Sequence, residues 1–267
     1  MSAPRLTALV LLLTALLLGA TSLALADVNN AQDYYQFRHS SCLPGMLFGV
    51  TPEGQVGFDG AFQQNIPVAF TPCDGNWVVG GNSGSNSSSL ELGSDTAKVN
   101  GTLFAARGWL TPGHALYVAW EATGTKIEEA WHAQYQVLPL TEGRPAVAIG
   151  VLDLFNERER FIGQSLHNAR SIYVTATGSL RQATWRPIYW TAGWGTGRFR
   201  NGFAGLSVPV SDRVRVVAEY DSFDPNVGVA FGLNPLGTDE RWNAVGYFGY
   251  TNLKQPMLGL TCTLRPF

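Results

Sequence analysis

Charge is what this sequence has least of. Asp, Glu, Lys and Arg make up 14% of its 267 residues, where a soluble protein of this size carries near a quarter. The formal net charge is only -2, so there is no basic stripe of the kind that nucleic acid requires, and nucleic acid is excluded as a partner. Cysteine is scarce as well: Cys42, Cys73 and Cys262 are all there is, with no C-x-x-C and no Cys/His cluster along the chain, which leaves a zinc site without support. A G-x-S-x-G turn, an Asp/Asn/Gly calcium loop and a phosphate-cradling glycine motif are all missing. The sequence therefore implies no cofactor, no metal and no enzyme. Beyond Asp27 it also lacks a sustained helical stripe.

The N-terminus carries the one long apolar run. Arg5 precedes a mostly apolar stretch from Leu6 to Leu18, and Ala24-Leu25-Ala26 supplies the small-x-small pattern that signal peptidase reads before Asp27. The run is short for a bilayer span. Residues 1–26 read as a cleaved signal peptide, and no cysteine adjoins the cut to hold a lipoprotein anchor. The mature chain of about 240 residues fits one all-β domain over 27–267, with 27–53 left open as a periplasmic or plug segment. Export leads to an oxidising space, so Cys42 and Cys73 are candidates for a disulfide.

What the mature chain has in abundance is two-residue alternation, interrupted by Gly, Pro, Asn and Asp. Over Val214–Tyr220, the residues Val214, Val216, Ala218 and Tyr220 share one face. Arg213, Arg215, Glu219 and Asp221 share the other, with Val217 as the exception. Val227, Val229, Phe231 and Leu233 alternate with small and polar residues, as do Leu258, Leu260, Cys262 and Leu264. The pattern predicts strands near 54–64, 67–71, 76–81, 98–108, 114–122, 129–138, 145–154, 171–178, 187–196, 202–210, 213–221, 226–234, 242–250 and 257–265. Some of the early ones read as plug or loop rather than wall.

Alternation alone fits two architectures that bury opposite faces. A soluble β-sandwich buries the apolar face, whereas a membrane barrel turns it to lipid and keeps the polar face inside. The export signal, the low charge and aromatics at strand ends (Trp185, Tyr189, Trp190, Trp194, Tyr220, Trp242, Tyr247, Tyr250) favour the barrel. The expected fold is all-β: a single antiparallel transmembrane β-barrel of about 12 strands, with 10 or 14 as the neighbouring choices, since bacterial single-chain barrels use even numbers. The alternative is a secreted soluble β-sandwich that binds carbohydrate through aromatics such as Trp109, Trp190 and Trp194. Ser211-Asp212-Arg213 reads as a tight periplasmic turn. Gly80–Ser89 and Asn156–Ala169 read as outer loops, the first a flexible Gly/Ser/Asn linker and the second holding the alternating charges Glu157 to Arg160. The sequons at Asn86 and Asn100 read as coincidence.

The segments Thr191–Phe199, Gly202–Leu206, Val217-Ala218-Glu219-Tyr220-Asp221 and Asp224-Pro225-Asn226-Val227-Gly228 resemble the YjbH-like outer-membrane β-barrel proteins. The likeness covers the C-terminal third. It implies an outer-membrane barrel linked to exopolysaccharide production or export, and this chain, shorter than the two-barrel members, would be a single-barrel relative. Phe267 fits the terminal aromatic that barrel assembly machinery recognises, although Pro266 and the strand phase do not favour it. The partners so implied are outer-membrane lipid, the assembly machinery and polysaccharide, in a Gram-negative-type outer membrane.

A barrel interior needs polar residues of matching phase. Arg107, Glu121, His132, Gln134, Asp153, Arg215, Glu219 and Asp221 are the expected lumen-lining set, with His132 near Glu121 or Asp153. In a narrow barrel they fill and rigidify the interior; in a wide one they line a pore. A hydrolase built on His132 is the weakest reading, and Gly81-Asn82-Ser83-Gly84-Ser85 reads as a loop rather than a protease motif.

Overall fold

The computed structural model describes residues 42–84, 101–123, 128–155, 170–180, 186–233 and 242–264. The signal-peptide reading of 1–26, the sequons at Asn86 and Asn100, the Glu157–Arg160 charges, Trp185 and Phe267 lie outside the described residues.

One closed ring of twelve antiparallel strands makes up the wall. The strands are β1 (Trp77–Gly84), β2 (Gly101–Thr111), β3 (His114–Thr123), β4 (Glu128–Leu138), β5 (Ala146–Leu152), β6 (Ser171–Leu180), β7 (Ile188–Gly195), β8 (Phe203–Ser211), β9 (Val214–Tyr220), β10 (Pro225–Gly232), β11 (Trp242–Thr251) and β12 (Gln255–Leu264). Each pairs with its neighbours in sequence, and β1 closes the ring against β12, where Trp77 faces Leu264 and Gly84 faces Met257. Closure gives every strand a partner on both sides, so no row of N–H and C=O groups is left open. A single ring also excludes the two-sheet sandwich. Pro209, which has no N–H to donate, sits at a register shift where β8 meets β9.

The alternation decides which way each side chain points. In β9 the residues Arg215, Glu219 and Asp221 beyond its end are at most 2% exposed. In β12, Leu258, Leu260 and Leu264 face out at 60%, 53% and 46%. In these strands the oily face is outside and the charged face inside. Two girdle aromatics break the expectation: Tyr189 and Tyr247 point inward and are buried, because their strand phase, not their residue type, sets their direction.

The wall does not begin until Trp77. Residues 42–76 run inside the ring as an irregular plug, joined internally by isolated bridges such as Val50 to Ala61 and Met46 to Gln63. The expected strands at 54–64 and 67–71 are therefore lumen-filling chain, not wall; their apolar residues are buried against the barrel interior rather than in a ladder. The plug's side chains join inward wall residues in three apolar clusters. Phe48, Val50 and Phe70 pack with Phe104, Tyr117 and Tyr189. Leu43, Met46 and Ile66 pack with Tyr173 and Phe203, while Leu47, Phe58 and Phe62 pack with Val217, Val245 and Tyr247. Gly205 and Gly259 face this chain, and a Cβ on either would lie 2.5 Å from Gln63 Oε1 or 2.9 Å from Leu47 Cδ1. The linker reading of Gly80–Gly84 is corrected in the other direction, since these residues are part of β1 and pair on both sides.

Both the start of β1 and the end of β12 lie at one end of the barrel, the terminal end. Turns there include Thr111–His114 and Ser211–Val214. The longest connections, 85–100 and 153–170, join strands at the far end.

Candidate functional site

The plug is irregular, so its backbone groups have no ladder to satisfy them, and burying them unpaired is costly. Inward side chains of the wall supply the partners. At the far half of the lumen, the Glu219 carboxylate accepts the N–H groups of Gln64 at 2.8 Å and Asn65 at 2.7 Å. Asn226 Nδ2 donates to Glu219 Oε1 and to Asp221 Oδ2, and Asn65 Nδ2 donates to the same Asp221 oxygen. Asp221 Oδ1 accepts from the N–H groups of Phe223 and Asp224, which shapes the β9–β10 turn. Arg198, on the short 3-10 turn Gly197–Phe199, is fully buried and donates to the Asn65 carbonyl at 2.8 Å. Tyr247 donates to Gln64 Oε1 at 2.6 Å.

The same logic runs across the barrel on β4 and β6. Gln134 Nε2 donates to the Val68 carbonyl, and Gln136 Oε1 accepts from Thr71 N–H. Thr175 donates to the Pro67 carbonyl, and Thr177 Oγ1 accepts from Ala69 N–H. Toward the terminal end Arg215 spreads its donors over Ser207 Oγ and the carbonyls of Asp59 and Pro187. Arg186 pairs with Asp59 of the plug and, at 3.7 Å, with Asp212 of the β8–β9 turn. The wall therefore grips plug backbone from several sides.

Of the expected lumen set, Glu121, His132, Gln134, Asp153, Arg215, Glu219 and Asp221 are all inside and buried. Arg107 is not. It follows the phase of Leu103 and Trp109 on the outer face of β2, while Thr102, Phe104 and Ala106 point in. Both faces of β2 mix small and large residues, so the alternation there did not reveal which side was inner. The Cys42–Cys73 pairing is likewise corrected: no disulfide joins them. Cys42 is buried, its carbonyl accepting from Tyr117 inside the lumen, whereas Cys73 leans on the Glu53 carbonyl beside Gly54.

The fold brings His132 to Glu121, as the strand phase suggested, and adds Cys42 of the plug, which no spacing announced. Cys42, Glu121 and His132 place their ligand atoms within 4.8 Å of one another, all buried. His132 Nδ1 accepts the Asp153 N–H at 3.0 Å, so a neutral ring carries its proton on Nε2, 3.2 Å from Glu121 Oε2. A metal at Nε2 would need the lone pair that this tautomer lacks. The arrangement fits a buried imidazole–carboxylate pair and does not fit a resident metal. Arg198 and the threonines of β6 had no signal of their own in the sequence, because their role depends on plug backbone more than a hundred residues away.

These features define a class: a closed antiparallel barrel whose lumen is filled by its own N-proximal chain. No family model matches the sequence, and no curated protein matches it. Among solved structures it is similar to KdgM porin, with a TM-score of 0.47 and 7% identity over 72% of this chain and 99% of that one. A KdgM porin in complex with disordered oligogalacturonate gives 0.46 and 6% over 72% and 99%. The Acinetobacter baumannii outer membrane protein Omp33 gives 0.39 and 11% over 72% and 98%.

Proposed function

We propose that this chain is an integral outer-membrane protein of a Gram-negative-type bacterium, a barrel that stands in the envelope with residues 42–76 occupying its lumen. The observation that carries the reading is the inversion of the ordinary burial rule. Arg215 and Asp221 are fully buried, whereas Leu103, Ile172, Trp194, Leu258 and Leu260 are all more than half exposed. In water such a face would be an aggregation surface, and hydrocarbon is the solvent it suits. Lipid and the barrel assembly machinery are the partners that follow, with cleavage after Ala26 preceding insertion. The terminal end faces the periplasm, because the two longest connections, 85–100 and 153–170, lie opposite.

In this state the barrel serves as a plugged envelope component, and passage of solute requires the plug to leave. The reading assigns no catalytic role to His132, whose ring is committed to Asp153 N–H and Glu121. The finer proposal, an association with exopolysaccharide, rests on the YjbH-like segments alone. Glu219 and Asp221 in those segments have a structural task here, since they dock the plug, and Asn226 donates to both carboxylates.

The test is membrane extraction followed by heat-modifiable gel mobility and planar-bilayer recording of the intact chain. We expect carbonate-resistant membrane association, a mobility shift on boiling and little steady conductance. Recovery of the protein in the soluble periplasmic fraction would overturn the proposal. Exopolysaccharide retained at the surface of a deletion strain, at the level of its parent, would overturn the finer one.

A further inference from the structure

Arg107 is a guanidinium on the mostly apolar outer face of the barrel. It lies directly across from Trp77 in the β1–β2 register. Its guanidinium carbon is 5.4 Å from the Trp77 ring centroid and 5.9 Å from that of Trp109. Both indoles are exposed, at 44% and 38%. Nε donates to the Gly75 carbonyl at 2.8 Å, which orients the group. That bond uses one of five donors. No carboxylate among the described residues pairs with Arg107, and Asp74 nearby is taken up by Asn76.

The position is at the terminal end, level with Trp242 and Leu264 on the adjoining strands. Tryptophan rings facing out at a barrel end mark the headgroup layer. A cation at that depth stands within reach of water and of lipid headgroups. The anion the layer offers is lipid phosphate, and an arginine fork matches a phosphodiester with two parallel hydrogen bonds. Here one edge is spent on Gly75 and the indole rings flank the guanidinium.

From this geometry we propose that Trp77, Arg107 and Trp109 form a binding site for the phosphodiester of one anionic phospholipid in the leaflet at the terminal end. The site rests on the membrane reading above. Through Gly75, whose N–H donates to the Gly108 carbonyl at 3.1 Å, it also adjoins the neck where the plug becomes wall.

The experiment is native mass spectrometry of the full chain released from bilayers of equal phosphatidylglycerol and phosphatidylcholine. We expect one phosphatidylglycerol to be retained, and Arg107→Gln to lower that retained fraction about tenfold. Arg213→Gln, an exposed arginine of the β8–β9 turn at the same end, serves as the control and should retain it. Heat-modifiable mobility verifies that each variant is folded. Should Arg107→Gln not fold, Trp109→Leu removes one flank while keeping the surface apolar, and a loss of about threefold is expected. Equal retention in a folded Arg107→Gln or, failing that, Trp109→Leu overturns the site, as does an equal loss in Arg213→Gln. Displacement of the lipid by millimolar inorganic phosphate also overturns it, since the site would then select a free anion. Failure of the wild type to enter bilayers at all would instead remove the membrane reading beneath it.

Discussion

The two carboxylate oxygens of Glu219 each take a backbone N–H from the plug, Oε2 from Gln64 and Oε1 from Asn65. This single side chain on β9 therefore fixes the plug at the point where it comes nearest the far end of the lumen. Because it reads backbone rather than side chains, it holds the chain by shape and position.

Glu219→Gln should loosen the plug without opening the ring. The amide keeps one acceptor and turns an NH2 group toward a backbone N–H that can only donate. Losing a charge-assisted bond of this kind costs about 2 kcal/mol. Hydrogen exchange at residues 62–69 is the measurement, with faster exchange expected there and unchanged protection in β1–β12. Uniform protection in the variant would mean that Glu219 does not hold the plug.

Deleting residues 42–71 should convert a quiet barrel into a conducting one. Among the described residues, the wall would then expose Glu121, Asp153, Glu219 and Asp221 against Arg198 and Arg215. That balance is negative, and a pore lined in this way prefers cations. Reversal potentials in a KCl gradient are the check. Conductance no larger than that of the intact chain, in a variant that keeps heat-modifiable mobility, would show that something besides the plug closes the lumen.

Leu260→Arg tests which solvent meets the outer face. Leu260 is 53% exposed and central in β12. If hydrocarbon surrounds it, arginine costs about 2–4 kcal/mol near the bilayer midplane. Urea titrations of the barrel folded in vesicles measure this. A change below about 0.5 kcal/mol, typical of a water-exposed surface substitution, would contradict the membrane placement.

Cys42 and Cys73 should behave differently toward a maleimide. Cys42 is fully buried, so it reacts only when the plug unfolds. Cys73 lies outside the strands, and burial, aided by the charge of Asp74, raises its thiol above the ordinary range. The reactive species is the thiolate, so labelling of Cys73 should be slow near neutrality and should keep climbing past pH ~9. Mass analysis without reductant should find Cys42 and Cys73 unlinked; a disulfide between them would contradict the described geometry.

Much of the wall was legible from residue order. In β9 and β12 the alternation Val214, Val216, Ala218 and Leu258, Leu260, Leu264 identifies strand, phase and face, since a period of two sends every second side chain the same way. It is least informative where both faces are mixed, as at Arg107. The plug had no such rule to betray it. Phe62 and Phe70 read as strand residues because they are apolar and spaced by turns, yet they lack partner strands and bury themselves against the lumen instead.

Sequence alone determined that the chain is a series of amphipathic strands with too little charge to coat a soluble surface, because periodicity and composition are local properties. Tertiary structure decided what fills the ring, which way Arg107 points and that Cys42 never meets Cys73. Those outcomes depend on irregular backbone finding side-chain partners such as Glu219 some 155 positions away, and pairing at that range is set by where closure of the barrel leaves each inward group.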